Sequence, residues 1–446
     1  MADVIAAPAT PPGRGAVSII RLSGDAVAEI AFKLGIDQIE HARARRIDLR
    51  LGGELLDEAL ALWFAAPRSY TGEDVLELQC HGSPPIIDRL MTEICSLGAR
   101  LARPGEFTER ACVNGKMDLL RAEAVADLIN ARTQSAAAGA LRSLQGAFSE
   151  RVADLGEQLS TLRAHIEFAL NFEEGDDQLE TRRLDEVEST LLGMHEAAQS
   201  ILAGAERGEQ LIAGACIALI GAPNAGKSSL LNRLAGSELA IVSENPGTTR
   251  DPVRTQIEIA GMPFEIIDTA GLRRENTSEV ERLGIERALQ AVQRADAVVL
   301  MYDASLGSDF SELVSEFDEA LKDARMLRLA NKIDLLDEAG LGILPADDLK
   351  ISVHTGEGLK TLEQHLAALF DRSEEFAFSA RSRHLICLRQ FEDLVQTALV
   401  QWQALKAPDL LAEDLRGMQR ALAELTGDIT DETLLGSIFS SFCIGK

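Results

Sequence analysis

The chain has 446 residues, more than one hydrophobic core normally organises, so we expect two to four domains. It carries 44 Lys and Arg against 71 Asp and Glu, a formal net charge of −27, which excludes nucleic-acid binding by the surface as a whole. Any RNA contact must therefore use a local basic patch or the surface of a partner. An acidic surface that only maintains solubility is the simpler interpretation.

Targeting signals and cysteine clusters are not evident. The opening MADVIAAPATPPGRG lacks the basic region and apolar stretch of a signal peptide, and no apolar run approaches the ~18 residues that span a bilayer. The six cysteines lie far apart and form no C-x-x-C pair, so we expect neither a disulfide framework nor a zinc site. These features predict a cytoplasmic protein that contacts no membrane.

The first third of the chain changes from mixed α/β to purely helical patterning. VSIIRLSG, LALWFAAP and VLELQCHG are short β-type runs that end at Gly or Pro, and Pro84–Leu97 has helical spacing. From Leu119 the sequence is rich in Ala and Leu and has no Pro, which predicts one long helix up to NFEEGDDQ. A second helical stretch runs from Thr181 to about Ala205.

Strands then alternate with helices, which predicts a parallel sheet with helices on both faces. The predicted strands are ACIALIG, PFEIIDTAG, ADAVVLMYDAS, ARMLRLANKID and DLKISVH. Helical patterning returns after Phe370, so the α/β block is inserted into a helical domain. We predict an α+β domain over 1–117, a first helical part over 118–210, the inserted domain over 211–370, and a second helical part over 371–446.

A phosphate-binding loop follows the first strand of the inserted block. Gly221 to Ser228 fit G-x-x-x-x-G-K-[ST] and lead into the helical run SSLLNRLAG. Backbone N–H groups at such a helix start bind phosphate oxygens, Lys227 reaches the β- and γ-phosphates as a catalytic residue, and Ser228 binds Mg²⁺. The loop residues that we expect to bind nucleotide are Asn224, Ala225, Gly226, Lys227, Ser228 and Ser229.

Three further motifs identify the nucleotide as GTP. Asp268-Thr269-Ala270-Gly271 follows a strand, where Asp268 reaches the Mg²⁺ shell and the Gly271 N–H reaches the γ-phosphate. Asn331-Lys332-Ile-Asp334 ends another strand, and the Asp334 carboxylate accepts from two N–H donors of guanine that adenine lacks. Ser352-Val353-His354 completes the base pocket through its backbone. Four motifs in this order at strand ends predict a P-loop G domain.

The loop IVSENPGTTRD (241–251), together with Asn224, resembles the potassium-dependent TrmE-type GTPases. The resemblance extends over the whole chain to the MnmE family of tRNA-modification GTPases. It is carried by ATPPGRGAVSIIRLSG, RSYTGEDVLELQCHG, RPGEFTERACVNGKMDL, AEAVADLI and the terminal CIGK.

For the G domain the resemblance implies that potassium stands where other GTPases use an arginine finger, once two G domains pair. Its implied potassium ligands are Asn224, Ser243, Asn245 and Thr248, and Thr249 joins Ser228 as a Mg²⁺ ligand. Glu244, Pro246 and Gly247 belong to the same nucleotide-contacting loop. Glu281 is implied as the catalytic residue that positions the attacking water. Glu279 stays an alternative, because LRRENTSEVE is one residue longer than expected.

For the N-terminal domain the resemblance implies a tetrahydrofolate-binding-like fold that dimerises. A 5-formyl- or 5,10-methylene-tetrahydrofolate would lie between the subunits, held by Arg21, Glu77, Lys116 and Lys446. A carboxylate suits the donor edge of a pterin, and cations suit the glutamyl carboxylates. Cys443 is either a nucleophile with a lowered pKa or a small packing residue.

The implied function is GTP hydrolysis coupled to addition of an aminomethyl-type group at C5 of the wobble uridine (U34) in certain tRNAs. A homodimer would work with a flavoprotein partner of the MnmG type in a heterotetramer, and the partner would hold most of the tRNA. A regulatory GTPase on ribosomal RNA would need a basic RNA-binding module, which the sequence does not display. A stand-alone folate aminomethyltransferase would need no G domain.

Overall fold

In a computed structural model the chain forms two compact units, one of Met1–Ile129, Ser143–Ile201 and Ile386–Lys446, the other of Asn130–Arg142 and Leu202–Leu385. The residues that the structure describes are 3–37, 40–171, 177–221, 224–236, 253–259, 262–268, 292, 295–306, 325–368, 378–427, 436, 438–440 and 442–445. The four-part division drawn from the sequence stays a prediction.

The first unit contains a six-stranded sheet. Its strands are β1 (Ile5–Pro8), β2 (Gly15–Ser23), β3 (Arg45–Leu51), β4 (Glu54–Phe64), β5 (Val75–Gly82) and β6 (Arg100–Leu101). Their order is β3-β4-β5-β2-β1-β6, and every pair is antiparallel except β1 with β6. Alternate residues such as Ile20, Leu22, Leu76 and Leu78 are buried on one face, which gives the period-two pattern of a half-covered sheet.

Twelve helices of more than one turn are described. They are α1 (Val27–Lys33), α2 (Pro84–Ser96), α3 (Glu106–Val113), α4 (Leu119–Asn130), α5 (Gln134–Leu144), α6 (Ala147–Asn171), α7 (Asp177–Ala213), α8 (Lys227–Gly236), α9 (Glu338–Ile343), α10 (Leu359–Ala368), α11 (Ser382–Leu405) and α12 (Pro408–Thr426). In the first unit, α1 and α2 bury Ile30 and Leu90 in the same apolar cluster as the sheet.

The single long helix predicted from Leu119 is wrong, because that stretch is divided into α4, α5 and α6. Thr133 caps α5 by accepting from the Ala136 N–H at 3.1 Å, and Gly146 has a φ of 108°, which favours glycine. The second predicted stretch lies within the 37-residue α7. This helix continues to the strand that follows, and the chain turns at Gly214 with a φ of 82°.

The second unit contains the predicted α/β block. Its strands are β7 (Ala215–Gly221), β8 (Val253–Ile259), β9 (Met262–Asp268), β10 (Ala297–Asp303), β11 (Arg325–Asn331) and β12 (Leu349–Lys350), in the order β12-β11-β10-β7-β9-β8. All neighbours are parallel except β8, which pairs antiparallel with β9 and was not predicted. Among the described residues, no helix has both the length and the apolar composition needed to cross a bilayer.

Candidate nucleotide-binding site

The predicted nucleotide motifs meet at one edge of the second sheet. Gly221, Asp268 and Asn331 are the last residues of β7, β9 and β11. Leu219 of β7 lies opposite Asp268, and Asp303 of β10 lies opposite Asn331. Because the carboxyl ends of parallel strands share an edge, a ligand placed there can contact all of these segments.

The phosphate loop depends on two glycines. Gly226 has a φ of 102°, and a Cβ atom there would overlap Nδ2 of Asn331. A Cβ atom at Gly221 would overlap the carbonyl oxygen of Met301. Asn224 also has a positive φ, 63°, a conformation that Asn adopts more readily than most residues. The close approach of the backbone to its neighbours therefore explains the glycines that the motif requires.

Lys227 begins α8 with its side chain buried; the residue is 5% exposed. Its Nζ donates to the carbonyl oxygen of Gly221 at 2.5 Å, so the ammonium lies across the loop. Burying a cation is costly unless it has charged or dipolar partners, and it lies beside a helix N-terminus that favours anions. This environment suits a phosphate ligand. Ser228 and Ser229 follow in the first turn of α8 and are exposed.

Asn331 joins the phosphate loop to the loop after β12. Its Nδ2 donates to the Ala225 carbonyl at 2.8 Å, and its Oδ1 accepts from the Val353 N–H at 3.1 Å. The residue is 2% exposed, so both hydrogen bonds are protected from water. Losing either bond would leave a buried polar group unsatisfied, at a cost of about 1–3 kcal/mol. The Val353 N–H, expected at the base, is engaged by Asn331 in this structure.

A left-handed residue presents Asp334 to solvent. Lys332 has a φ of 66°, and its Nζ pairs with Oδ2 of Asp303 at 2.6 Å. Burial raises the pKa of Asp303, but hydrogen bonds from Lys332 and Ser305 outweigh this and hold the pKa below its ordinary value. The anchored Lys332 leads into a 3-10 turn at Ile333–Leu335, in which Asp334 is exposed. A carboxylate in this position is accessible to a ligand base.

The loop after β12 is stabilised by its own hydrogen bonds. Ser352 is fully buried; its Oγ accepts from the Thr355 N–H at 3.1 Å, and its backbone N–H donates to Glu357 at 3.0 Å. A Cβ atom at Gly358 would overlap the Lys350 carbonyl, so the loop requires glycine there. His354 is exposed beside this framework.

The structure thus brings together the described residues of all four motifs: Asn224 to Ser229, the backbone of Asp268, Asn331, Lys332, Asp334, and Ser352 to His354. Other predicted positions lie outside the described residues, namely Ser243 to Thr249, Thr269 to Gly271, Glu279, Glu281 and Lys446. The role of Asp303 was missed in the sequence. Its signal was an Asp directly after the apolar run AVVLMY, at the same sheet edge as the motifs.

Two of the predicted folate residues pair in the first unit. Arg21 and Glu77 are opposite residues on β2 and β5, with Nη2 and Oε1 2.8 Å apart, and both side chains are 15% exposed. The Arg21 guanidinium lies 5.5 Å from the ring centre of Tyr70 and 5.7 Å from that of Phe107. Its Nη1 also donates to the Gly445 carbonyl at 3.4 Å. The C-terminal segment therefore reaches this pair.

The other predicted residues of this site differ in their packing. Lys116 Nζ donates to the Pro67 carbonyl at 2.8 Å. Phe442 is buried, and a Cβ atom at Gly445 would overlap the Pro8 carbonyl, so these two residues pack the tail against the unit. Cys443 is exposed. This exposure does not favour the half-buried packing role, and the role of Cys443 stays a prediction.

A phosphate loop with a buried lysine, next to an Asn-Lys-x-Asp turn at one sheet edge, defines a P-loop guanine-nucleotide-binding domain. Family models support a narrower assignment: the MnmE helical domain matches residues 119–443, and the N-terminus of the GTP-binding protein TrmE matches residues 4–116.

Relatives that match over their full length support the same family assignment. Proteins named tRNA modification GTPase MnmE from Marinomonas sp. and Ectopseudomonas mendocina are each 46% identical over 453 residues, covering 100% of this chain and 98% and 99% of theirs. The protein of that name from Pseudomonas aeruginosa is 45% identical over 459 residues, with 100% and 99% coverage. The chain belongs to the MnmE family of GTPases, which confirms the resemblance seen in the sequence.

We predict that Asp334→Asn weakens GTP binding and shifts the preference toward xanthosine triphosphate. The carboxylate accepts from two N–H groups of guanine, and losing a hydrogen bond to a charged group costs roughly 1.5–3 kcal/mol, or about tenfold to a hundredfold in affinity. Titration with both nucleotides measures the effect. Asp337, which caps α9 three residues further on, is the control position for the same Asp→Asn change. An unchanged GTP dissociation constant in Asp334→Asn would remove Asp334 from the base pocket.

Proposed function

We propose that the chain hydrolyses GTP to drive modification of the wobble uridine at C5 in certain tRNAs. The observation that carries the proposal is the Asn331 side chain, which joins a phosphate loop to a base loop in a chain aligned end to end with tRNA modification GTPases. A folate would supply the one-carbon unit, and a flavoprotein partner would supply the redox chemistry. A homodimer of this chain would form the core of the assembly.

The phosphate end of the pocket fits a Mg²⁺-nucleotide. Gly226 lets the phosphate loop pack closely against the Asn331 amide, and Lys227 brings a buried ammonium to the loop. Ser228 stands in the first turn of α8, where a hydroxyl can face a metal bound to the phosphates. Ser228 and Thr249 would hold Mg²⁺, which neutralises phosphate charge. Lys227 would hold the β- and γ-phosphates as charge moves onto them.

Potassium is the proposed monovalent cofactor. Asn224 supports the assignment, because its positive φ places an exposed amide-bearing residue at the turn of the phosphate loop. Ser243, Asn245 and Thr248 would complete the oxygen ligands. Bound potassium would supply positive charge beside the transferred phosphoryl group when two G domains pair.

The folate proposal rests on the environment of Arg21. A guanidinium beside two aromatic rings, with a carboxylate across the strand pair, suits a ligand that combines a pterin ring with carboxylates. Glu77 would accept from the pterin, while Arg21, Lys116 and Lys446 would bind the carboxylates. The hydrogen bond from Arg21 to Gly445 supports a contribution from the residue that follows it.

We predict that Glu281→Ala slows GTP hydrolysis on the order of 10²-fold or more and leaves GTP affinity near wild type. Glu281 is proposed to orient water in the transition state, and such a contact changes turnover without changing ground-state binding. Single-turnover hydrolysis and nucleotide titration measure the two quantities. Glu279→Ala is the matched control. If Glu279→Ala is the slow variant, the assignment moves by two residues; if neither variant is slow, this segment does not position the water.

We predict that GTP turnover is on the order of 10²-fold faster in potassium than in sodium at equal ionic strength. Sodium is too small for an oxygen cage sized for potassium, and loss of one electrostatic stabiliser typically costs this much in turnover. The comparison uses the full chain, with pairing of G domains followed in parallel by fluorescence transfer between labelled copies. Equal turnover in the two salts, with pairing intact, would contradict the potassium assignment.

A further inference from the structure

Two of the segments of this acidic chain that contain no Asp or Glu meet in the fold. They are residues 128–149 and 376–391, in a protein with a net charge of −27. Within the second unit, their charged side chains at neutral pH are all arginines: Arg132, Arg142, Arg381 and Arg383. Neither segment alone forms a basic module, because each contributes only two of these arginines. The two segments are some 240 residues apart in the chain.

The fold brings the two segments together. The Ser379 N–H donates to the Gly139 carbonyl at 3.3 Å, which joins the segment before α11 to α5. The C-terminal part of α7 lies against the same place, because a Cβ atom at Gly208 would overlap the Phe378 carbonyl. Ser382 also donates to Glu209 of α7. All of these residues belong to the second unit.

The corner built from 130–142, 202–213 and 378–385 is therefore basic. It contains five arginines, the four above and Arg207, against Glu206 and Glu209, a net charge of +3. Arg132 and Arg142 are exposed, and Arg381 and Arg383 are half-exposed. The positive end of the α5 dipole lies next to Arg132, which adds to the positive potential at that residue.

We propose that this corner, with Arg132 and Arg142 at its exposed part, binds the phosphate backbone of the tRNA. The choice of tRNA rests on the proposed function. Arginine suits the ligand, because its planar guanidinium donates two parallel hydrogen bonds to a phosphate. Hydroxyls and amides among the same residues, such as Gln134 and Ser135, are side chains that commonly add phosphate contacts. The net negative charge of the rest of the chain would repel RNA on average, which favours a basic surface such as this one.

The test compares two double charge reversals in the full chain, Arg132→Glu/Arg142→Glu and the control Arg43→Glu/Arg50→Glu. Arg43 and Arg50 lie in the first unit with side chains 73% and 56% exposed, so the control changes total charge equally. A fluorescent, unmodified tRNA transcript is titrated by anisotropy at two salt concentrations. We expect the first variant to lose affinity about tenfold to a hundredfold at about 0.1 M salt and its salt slope to fall by about 2.

GTP turnover in potassium, measured on the same proteins, should stay at the wild-type value in both variants, which also shows that they are folded. Equal affinity losses in the two variants would assign the effect to total charge and overturn the proposal. Unchanged affinity in the first variant, or a wild-type chain that does not bind the transcript, would overturn it as well. Absence of GTP turnover in the wild-type chain would contradict the proposed function, while the affinity comparison would still decide this surface.

Discussion

One buried carboxamide connects the two ends of the nucleotide pocket. Asn331 reaches the Ala225 carbonyl with its nitrogen and the Val353 N–H with its oxygen, and neither bond is open to water. The approach is possible because Gly226 has no side chain to occupy the same space. The same residue therefore holds the phosphate loop and the base loop in place relative to each other.

The surrounding sheet positions this amide. Parallel pairing of β11 with β10, and of β10 with β7, puts Asn331 beside the phosphate loop although the two are more than a hundred residues apart. The left-handed conformation of Lys332 costs about 1–2 kcal/mol. The ion pair with Asp303 at 2.6 Å offsets part of that cost and aims the next turn so that Asp334 faces solvent. Strain at Lys332 thus accompanies the exposure of the Asp334 carboxylate.

Much of the nucleotide-binding domain was predictable from the sequence, for a physical reason. Phosphate and guanine recognition depend on short segments at strand ends, where the required residue types are contiguous and the flanking strands are strongly apolar. Strand β8 ends in no nucleotide motif and was missed, although the alternation of apolar and polar residues in VRTQIEI is typical of a strand covered on one face. The division of the helix after Leu119 depends on a Thr133 cap and a positive φ at Gly146, local signals within a favourable helical composition. The basic corner could not be predicted, because it exists only after Gly139 and Ser379 have met in the fold.

The most direct measurement concerns Asn331→Ala and its effect on two nucleotides, GDP and xanthosine diphosphate. If the Asn331 side chain organises the phosphate loop as well as the base loop, its removal should weaken the binding of both nucleotides by the same factor. The loss of two buried hydrogen bonds at about 1 kcal/mol each corresponds to a roughly thirtyfold increase in each dissociation constant. Calorimetric titration of the full chain gives both dissociation constants. A loss confined to GDP, with xanthosine diphosphate bound as in wild type, would show that Asn331 serves base recognition alone and would contradict its role as the connection between the two loops.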